Sequence, residues 1–166
     1  MSLHDFIQWL GSTPASMLFQ NVNWIIPITQ SIHILCIAIV FSSATMVDLR
    51  MLGLVGRSQP SASYAARFLP WIWPTLVVLM VTGSILITAE PNRSLANPAF
   101  WAKMTMLVLA IILTFILQRP FNRDPAYWEL SGGRKAAAAL IAVLTLLLWV
   151  GIIFCGRWIA YITVDA

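Results

Sequence analysis

The sequence predicts an all-α fold: a four-transmembrane-helix bundle with a short N-terminal amphipathic surface helix. Three observations predict it. The 166 residues are 60% hydrophobic and 10% charged, against roughly 25% charged in ordinary soluble domains, too little polar surface to cover a water-soluble globule. Four apolar runs each approach the roughly 20 residues that cross a ~30 Å hydrocarbon core. Of the ten Lys and Arg, all but Lys103 and Arg157 fall between those runs, where topology signals belong, and they form no basic stripe of the kind nucleic acid requires. Strands are excluded because a lone strand in lipid leaves its amides and carbonyls unpaired, and no alternating pattern offers a barrel.

The elements follow in order. Leu3, Phe6, Ile7 and Leu10 share one helical face, Ser2 and Asp5 have capping-box spacing, and Gly11 with Pro14 ends the segment, giving a surface helix over 2–11. Thr13-Pro14 marks a second helical start. The spans are predicted at 24–47, 68–89, 98–117 and 136–154. Asn97-Pro98-Ala99-Phe100-Trp101 and Asp124-Pro125-Ala126-Tyr127-Trp128 repeat one pattern, a capping residue, a proline and an aromatic pair. Both read as helix starts, the second opening a short helix that Gly132-Gly133 stops. No linker divides the chain, so residues 1–166 form a single integral membrane domain.

Charge gives the bundle a direction. Arg50, Arg57 and Arg67 lie between spans one and two; Arg119, Arg123, Arg134 and Lys135 lie between three and four. The positive-inside rule puts these connections in the cytoplasm and both termini on the non-cytoplasmic side of a multi-pass protein. With no Lys or Arg before Arg50, the N-terminus lacks the basic start of a cleavable signal, and the chain is expected to stay whole. Trp24, Trp101 and Trp158 map to one interface and Trp71, Trp73 and Trp128 to the other, while Trp149 falls inside the fourth span as a packing residue.

His33 is the most informative residue. It lies about nine positions, or ~13 Å, into the first span, where an imidazole has to find a partner. Thr29, Gln30 and Cys36 flank it at helical spacings and Ser43 lies about two turns on, making a polar stripe that should face protein. One reading is interhelical hydrogen-bonding glue. A second is ligation of haem b, with Met80 of the second span at matching depth as the other axial ligand, since the remaining histidine, His4, lies on the surface helix. A third is metal or proton passage through His33, Cys36 and methionines. A quinone or lipid headgroup beside the stripe is a fourth.

Lys103 and Glu90 are expected to pair at the outer ends of their spans. Asp48 and Arg50 read as cytoplasmic anchors, with Arg67 or Arg119 as partners for Asp48. Cys36 and Cys155 fall at different depths and are expected as free thiols. Ala38 with Ser42, and Ala138 with Ala142, have the small-xxx-small spacing of close helix contacts, including contacts between subunits. No nucleophile with a nearby base, phosphate loop or paired intramembrane carboxylate is present, so the chain does not read as an enzyme in its own right. The reading is an accessory or oligomeric membrane subunit, in contact with lipid and with further copies or a membrane complex. The alternatives are electron transfer through haem b or a quinone, and proton, small-ion or metal transport.

Ser31-Ile32-His33-Ile34-Leu35, Val47-Asp48-Leu49-Arg50-Met51-Leu52-Gly53, Leu69-Pro70-Trp71-Ile72-Trp73, Val81-Thr82-Gly83 and Asn97-Pro98-Ala99-Phe100-Trp101-Ala102-Lys103 together resemble an uncharacterised bacterial family of small four-helix membrane proteins. The resemblance implies four helices in a bacterial inner membrane and brings no activity with it. A looser similarity to copper-resistance membrane proteins places His33 and Lys103 at the matching positions.

Overall fold

The computed structural model describes residues 2–159 and 161; Met1, Ala160 and residues 162–166, and with them the C-terminal end whose side the charges assign, lie outside it. Among the described residues four helices are long and apolar enough to cross a membrane: α3 (Ile25–Met51), α4 (Ser61–Ala89), α6 (Pro98–Phe121) and α7 (Gly132–Trp158). Three short helices complete the order: α1 (Leu3–Gly11), α2 (Pro14–Asn21) and α5 (Pro91–Leu95). No strand occurs among the described residues. The chain is an all-helical, multi-pass membrane protein.

Local chemistry sets the helix starts. The Ser2 hydroxyl accepts from the Asp5 amide at 3.1 Å, and the Asp5 carboxylate accepts from the Ser2 amide at 2.8 Å, so two orphan donors are satisfied reciprocally. Thr13 accepts from the Ser16 amide with Pro14 as the first helical residue. The repeated Asn/Asp-Pro pattern gives the same local turn twice: Asn97 Oδ1 accepts from Ala99 N at 3.0 Å and Asp124 Oδ1 from Ala126 N at 2.9 Å. Only the first opens a long helix. The second gives a single 3-10 turn, Tyr127–Glu129. Gly132-Gly133, expected as a stop, are instead the first residues of α7, because the Ser131 hydroxyl caps the Arg134 amide.

Each spanning helix outruns its apolar core. α4 begins seven residues before the predicted span, and α3 continues to Met51, because backbone hydrogen bonding proceeds into the interface until a breaker ends it. For α3 the breaker is Gly53, whose φ of 69° is left-handed.

α3 packs chiefly on α4 and also on α7, and α6 packs on α7; α4 and α6 touch along a short stretch. There the Trp73 indole donates to Gln118 at 2.8 Å and meets the edge of Phe115. Val40, Ala44 and Val47 of α3 join Leu69 and Ile72 of α4, Ala110 of α6, and Ala138 and Trp149 of α7 in one core. Ala138 and Ala142 are buried inside the chain, whereas Ala38 and Ser42 face outward. Trp128 is buried and donates to the Leu117 carbonyl at 3.0 Å, so it is a packing residue and not part of the interfacial belt. The outer faces, with Leu35, Val77, Ile112 and Leu147 exposed, meet lipid.

α1 covers one end of the bundle. Ile7 is buried against Leu95 and Phe100, with Leu10 packed beside them. The Gln20 amide donates to the Ala89 carbonyl at 2.8 Å, tying α2 to the end of α4. Leu3 and Trp9 remain exposed, so the apolar surface of α1 is divided between protein and bilayer.

Candidate functional site

α3 turns one strip inward, and Thr29, Cys36, Val40, Ser43, Ala44, Val47 and Asp48 are its buried residues. His33 falls on the same line at steps of three and four, half-buried. Its Nδ1 lies 2.7 Å from the Thr82 hydroxyl of α4. That hydroxyl has one proton, which it donates back to the Val78 carbonyl at 2.8 Å. Thr82 is therefore the acceptor and His33 the donor, which assigns the Nδ1–H tautomer and leaves Nε2 as a bare lone pair in the neutral ring. Nε2 has no hydrogen-bond partner among the described residues. Gly83 lies beside the ring: a Cβ there would stand 3.5 Å from His33 Cε1.

A cation stands near this base. Lys103 enters from α6 with its stem along Gly156 of α7, where an added Cβ would lie 3.8 Å from Nζ. The ammonium is within electrostatic reach of both the His33 imidazole and the Cys155 thiol. It has no ion-pair or hydrogen-bond partner among the described residues. Trp149 of α7 is 2% exposed, and its indole N–H is buried without an acceptor. At ~1.5 Å per residue, Thr82, His33 and Trp149 lie about 10 to 14 Å from their helix ends, with Lys103 a few ångströms shallower. One end of the bundle thus holds an acceptor nitrogen and an ammonium, with an unused indole donor at a similar depth in the core of α7.

Four expectations are corrected. Gln30 is exposed: Thr29 and Gln30 are ~100° apart on the helix, and burial goes to Thr29. Met80 is 68% exposed, because it lies two residues, or ~200°, from Thr82, which takes the inward direction. It therefore does not face His33, and no His–Met pair forms within the chain. Glu90 pairs with Arg93 at 2.8 Å and not with Lys103, since α5 brings Arg93 back over Glu90 within one turn. Asp48 is 2% exposed and not a water-facing anchor, while Arg67 and Arg119 point outward.

Cys36 is buried beside His33, and both cysteines are free thiols. Among the described residues no three His, Cys, Asp or Glu side chains are grouped to hold a metal ion. Thr82 joined the site unforeseen, though it had a signal, a hydroxyl at His33's depth one residue before a glycine.

Compared with known proteins, residues 8–162 match the model of a family described as "Family of unknown function (DUF6644)". No curated protein and no solved structure matches the chain.

Proposed function

The chain belongs to this family of unknown function, DUF6644, and we propose from its own residues that it is a small accessory membrane subunit that binds a quinone at His33. The reading rests on the His33–Thr82 hydrogen bond, which holds the ring and leaves Nε2 free. A quinone needs donors for its carbonyl oxygens and, in the reduced form, acceptors for its hydroxyls. Among the described residues Lys103 and the Trp149 indole are donors without partners, and His33 Nε2 is an acceptor without one. Such groups are costly in an apolar interior unless a ligand engages them. His33 and Lys103 are both only half-buried, so a lipid-soluble ligand can reach them from the bilayer.

Haem b receives less support, since Met80 turns away and leaves one axial histidine in the chain. By the positive-inside rule the arginine-rich end is cytoplasmic, which puts the His33 end and both termini outside. The family resemblance suggests a bacterial inner membrane. The outward Ala38–Ser42 face suits contact with a further copy or a larger complex.

The test is direct binding of a short-chain quinone and of its quinol to the protein in mild detergent, with His33→Ala and Lys103→Ala compared. Losing the charge-assisted Lys103 contact costs about 1.5 to 3 kcal/mol, so Lys103→Ala should bind the quinone roughly tenfold more weakly or worse, whereas losing the neutral His33 Nε2 acceptor costs about 0.5 to 1.5 kcal/mol and should weaken quinol binding several-fold. Equal binding by all three proteins would remove the site from quinone recognition.

A further inference from the structure

Asp48 takes no part in the His33 site. It lies fifteen positions further along α3, about 22 Å toward the arginine-rich end. The residue is 2% exposed and its Oδ2 is buried with no hydrogen-bond partner among the described residues. Among the described residues no cation neutralises it. Arg50, two residues on and so on the opposite side of the helix, donates to the Gln59 carbonyl at 2.6 Å and pairs with Glu129 at 3.4 Å. Arg57 donates to the Gly53 carbonyl.

The other elements at this end supply none either. On α4, Arg67 is exposed over the Phe68 ring and Tyr64 lies against Gly56. On α7, Arg134 stacks on Tyr127 at 4.3 Å and Lys135 is exposed. Arg119 of α6 and Arg123 beyond it are exposed, and Asp124 is engaged with the Ala126 amide.

A second unpartnered oxygen stands one turn away. Thr75, Thr82, Thr88, Thr105, Thr114 and Thr145 each donate a hydroxyl to the carbonyl four residues back, the ordinary resting place of a helical threonine in lipid. Thr45 does not. Its Oγ1 is buried without a partner, three residues before Asp48 on the same side of the helix.

An isolated carboxylate in a medium of low dielectric is too costly to persist. Without a cationic side chain, its charge has to be removed by a small cation bound from solution. Two side-chain oxygens fall well short of the six or more that a hard metal cation such as calcium takes, but one oxygen suffices for a proton. We propose that Asp48 is a proton-binding site, its carboxyl carrying a proton inside the bundle and exchanging it at the arginine-rich end, with the Thr45 hydroxyl as its neighbour on the side toward His33. This assignment rests on residues distinct from the quinone site and does not depend on that reading.

Infrared spectroscopy of the full chain in lipid vesicles tests it. At neutral pH the protein should show a protonated-carboxyl C=O band that is lost in Asp48→Asn and shifted in Asp48→Glu. Raising the pH should convert it to carboxylate absorption, and exchanging Na⁺ for K⁺ should leave it unchanged. Absence of the band in the native protein, its persistence in Asp48→Asn, or its loss on adding Na⁺ at constant pH would each overturn the assignment. Should Asp48→Asn not accumulate, the native titration and the Asp48→Glu shift decide the matter.

Discussion

The Nδ1 of His33 on α3 and the hydroxyl of Thr82 on α4 lie 2.7 Å apart, and among the described residues theirs is the one side-chain hydrogen bond that joins these two helices. The rest of the contact between them is packing without a second side-chain hydrogen bond. The bond therefore fixes both the register of the pair and the direction in which the free imidazole nitrogen points. Thr82→Val keeps the shape and removes the acceptor. It should lower stability in detergent by about 0.6 to 2 kcal/mol, the range for such interhelical contacts, and should weaken ligand binding by leaving the ring unheld. Thermal melts together with a binding titration check both effects, and unchanged values for both would mean that the bond positions nothing.

Met80 provides the matching control. With its side chain 68% exposed, Met80→Ala should leave the visible spectrum and the quinone affinity unchanged and shift stability by less than about 0.5 kcal/mol, as surface substitutions do. A clear loss of either would revive a His–Met arrangement.

Gly56 sits at φ 63°, and a Cβ there would come within 2.5 Å of the Tyr64 ring. Left-handed backbone costs an L-residue roughly 1 to 2 kcal/mol before any clash. Gly56→Ala should therefore destabilise the connection between α3 and α4 by at least that much, read as a lower unfolding midpoint. Gly132→Ala, where a Cβ meets nothing, should be neutral or stabilising.

Glu129 contributes an acid-side pH dependence at the arginine-rich end. The Ser61 amide, donating at 3.0 Å, holds its carboxyl below the ordinary 4.5, and Arg50 adds to the effect. A lowered folded-state value means stability that is present above pH 4.5 and lost as the pH falls below it through the lower folded-state value. The melting temperature should drop across this window, and the drop should shrink in Glu129→Gln. The comparison is needed because Asp5 is also held low, by the Ser2 amide.

Hydrophobic run length and charge placement made the four spans legible, because lipid leaves the backbone few choices. The depth of His33 could be read for the same reason, as a count of residues along a helix. Rotation about the helix axis could not. Whether Thr29 or Gln30 faces inward, and whether Thr82 or Met80 meets His33, depends on which side each helix presents, and apolar residues surround these helices on every side. The Gly132-Gly133 error has a similar origin: a glycine pair is a local signal, and the Ser131 cap and the packing of α7 outweigh it. Asp48 looked like an anchor because it ends an apolar run, but α3 runs on to Met51 and carries the carboxyl into the bundle.

The most direct measurement is the quinone content of the protein as purified in mild detergent, quantified by solvent extraction and chromatography for the native chain and for His33→Ala. Quinone should be retained in proportion to the native protein and markedly reduced in the variant, with no haem band in the reduced-minus-oxidised spectrum of either. Equal quinone in both preparations, or a haem spectrum that disappears with His33, would contradict quinone binding at His33.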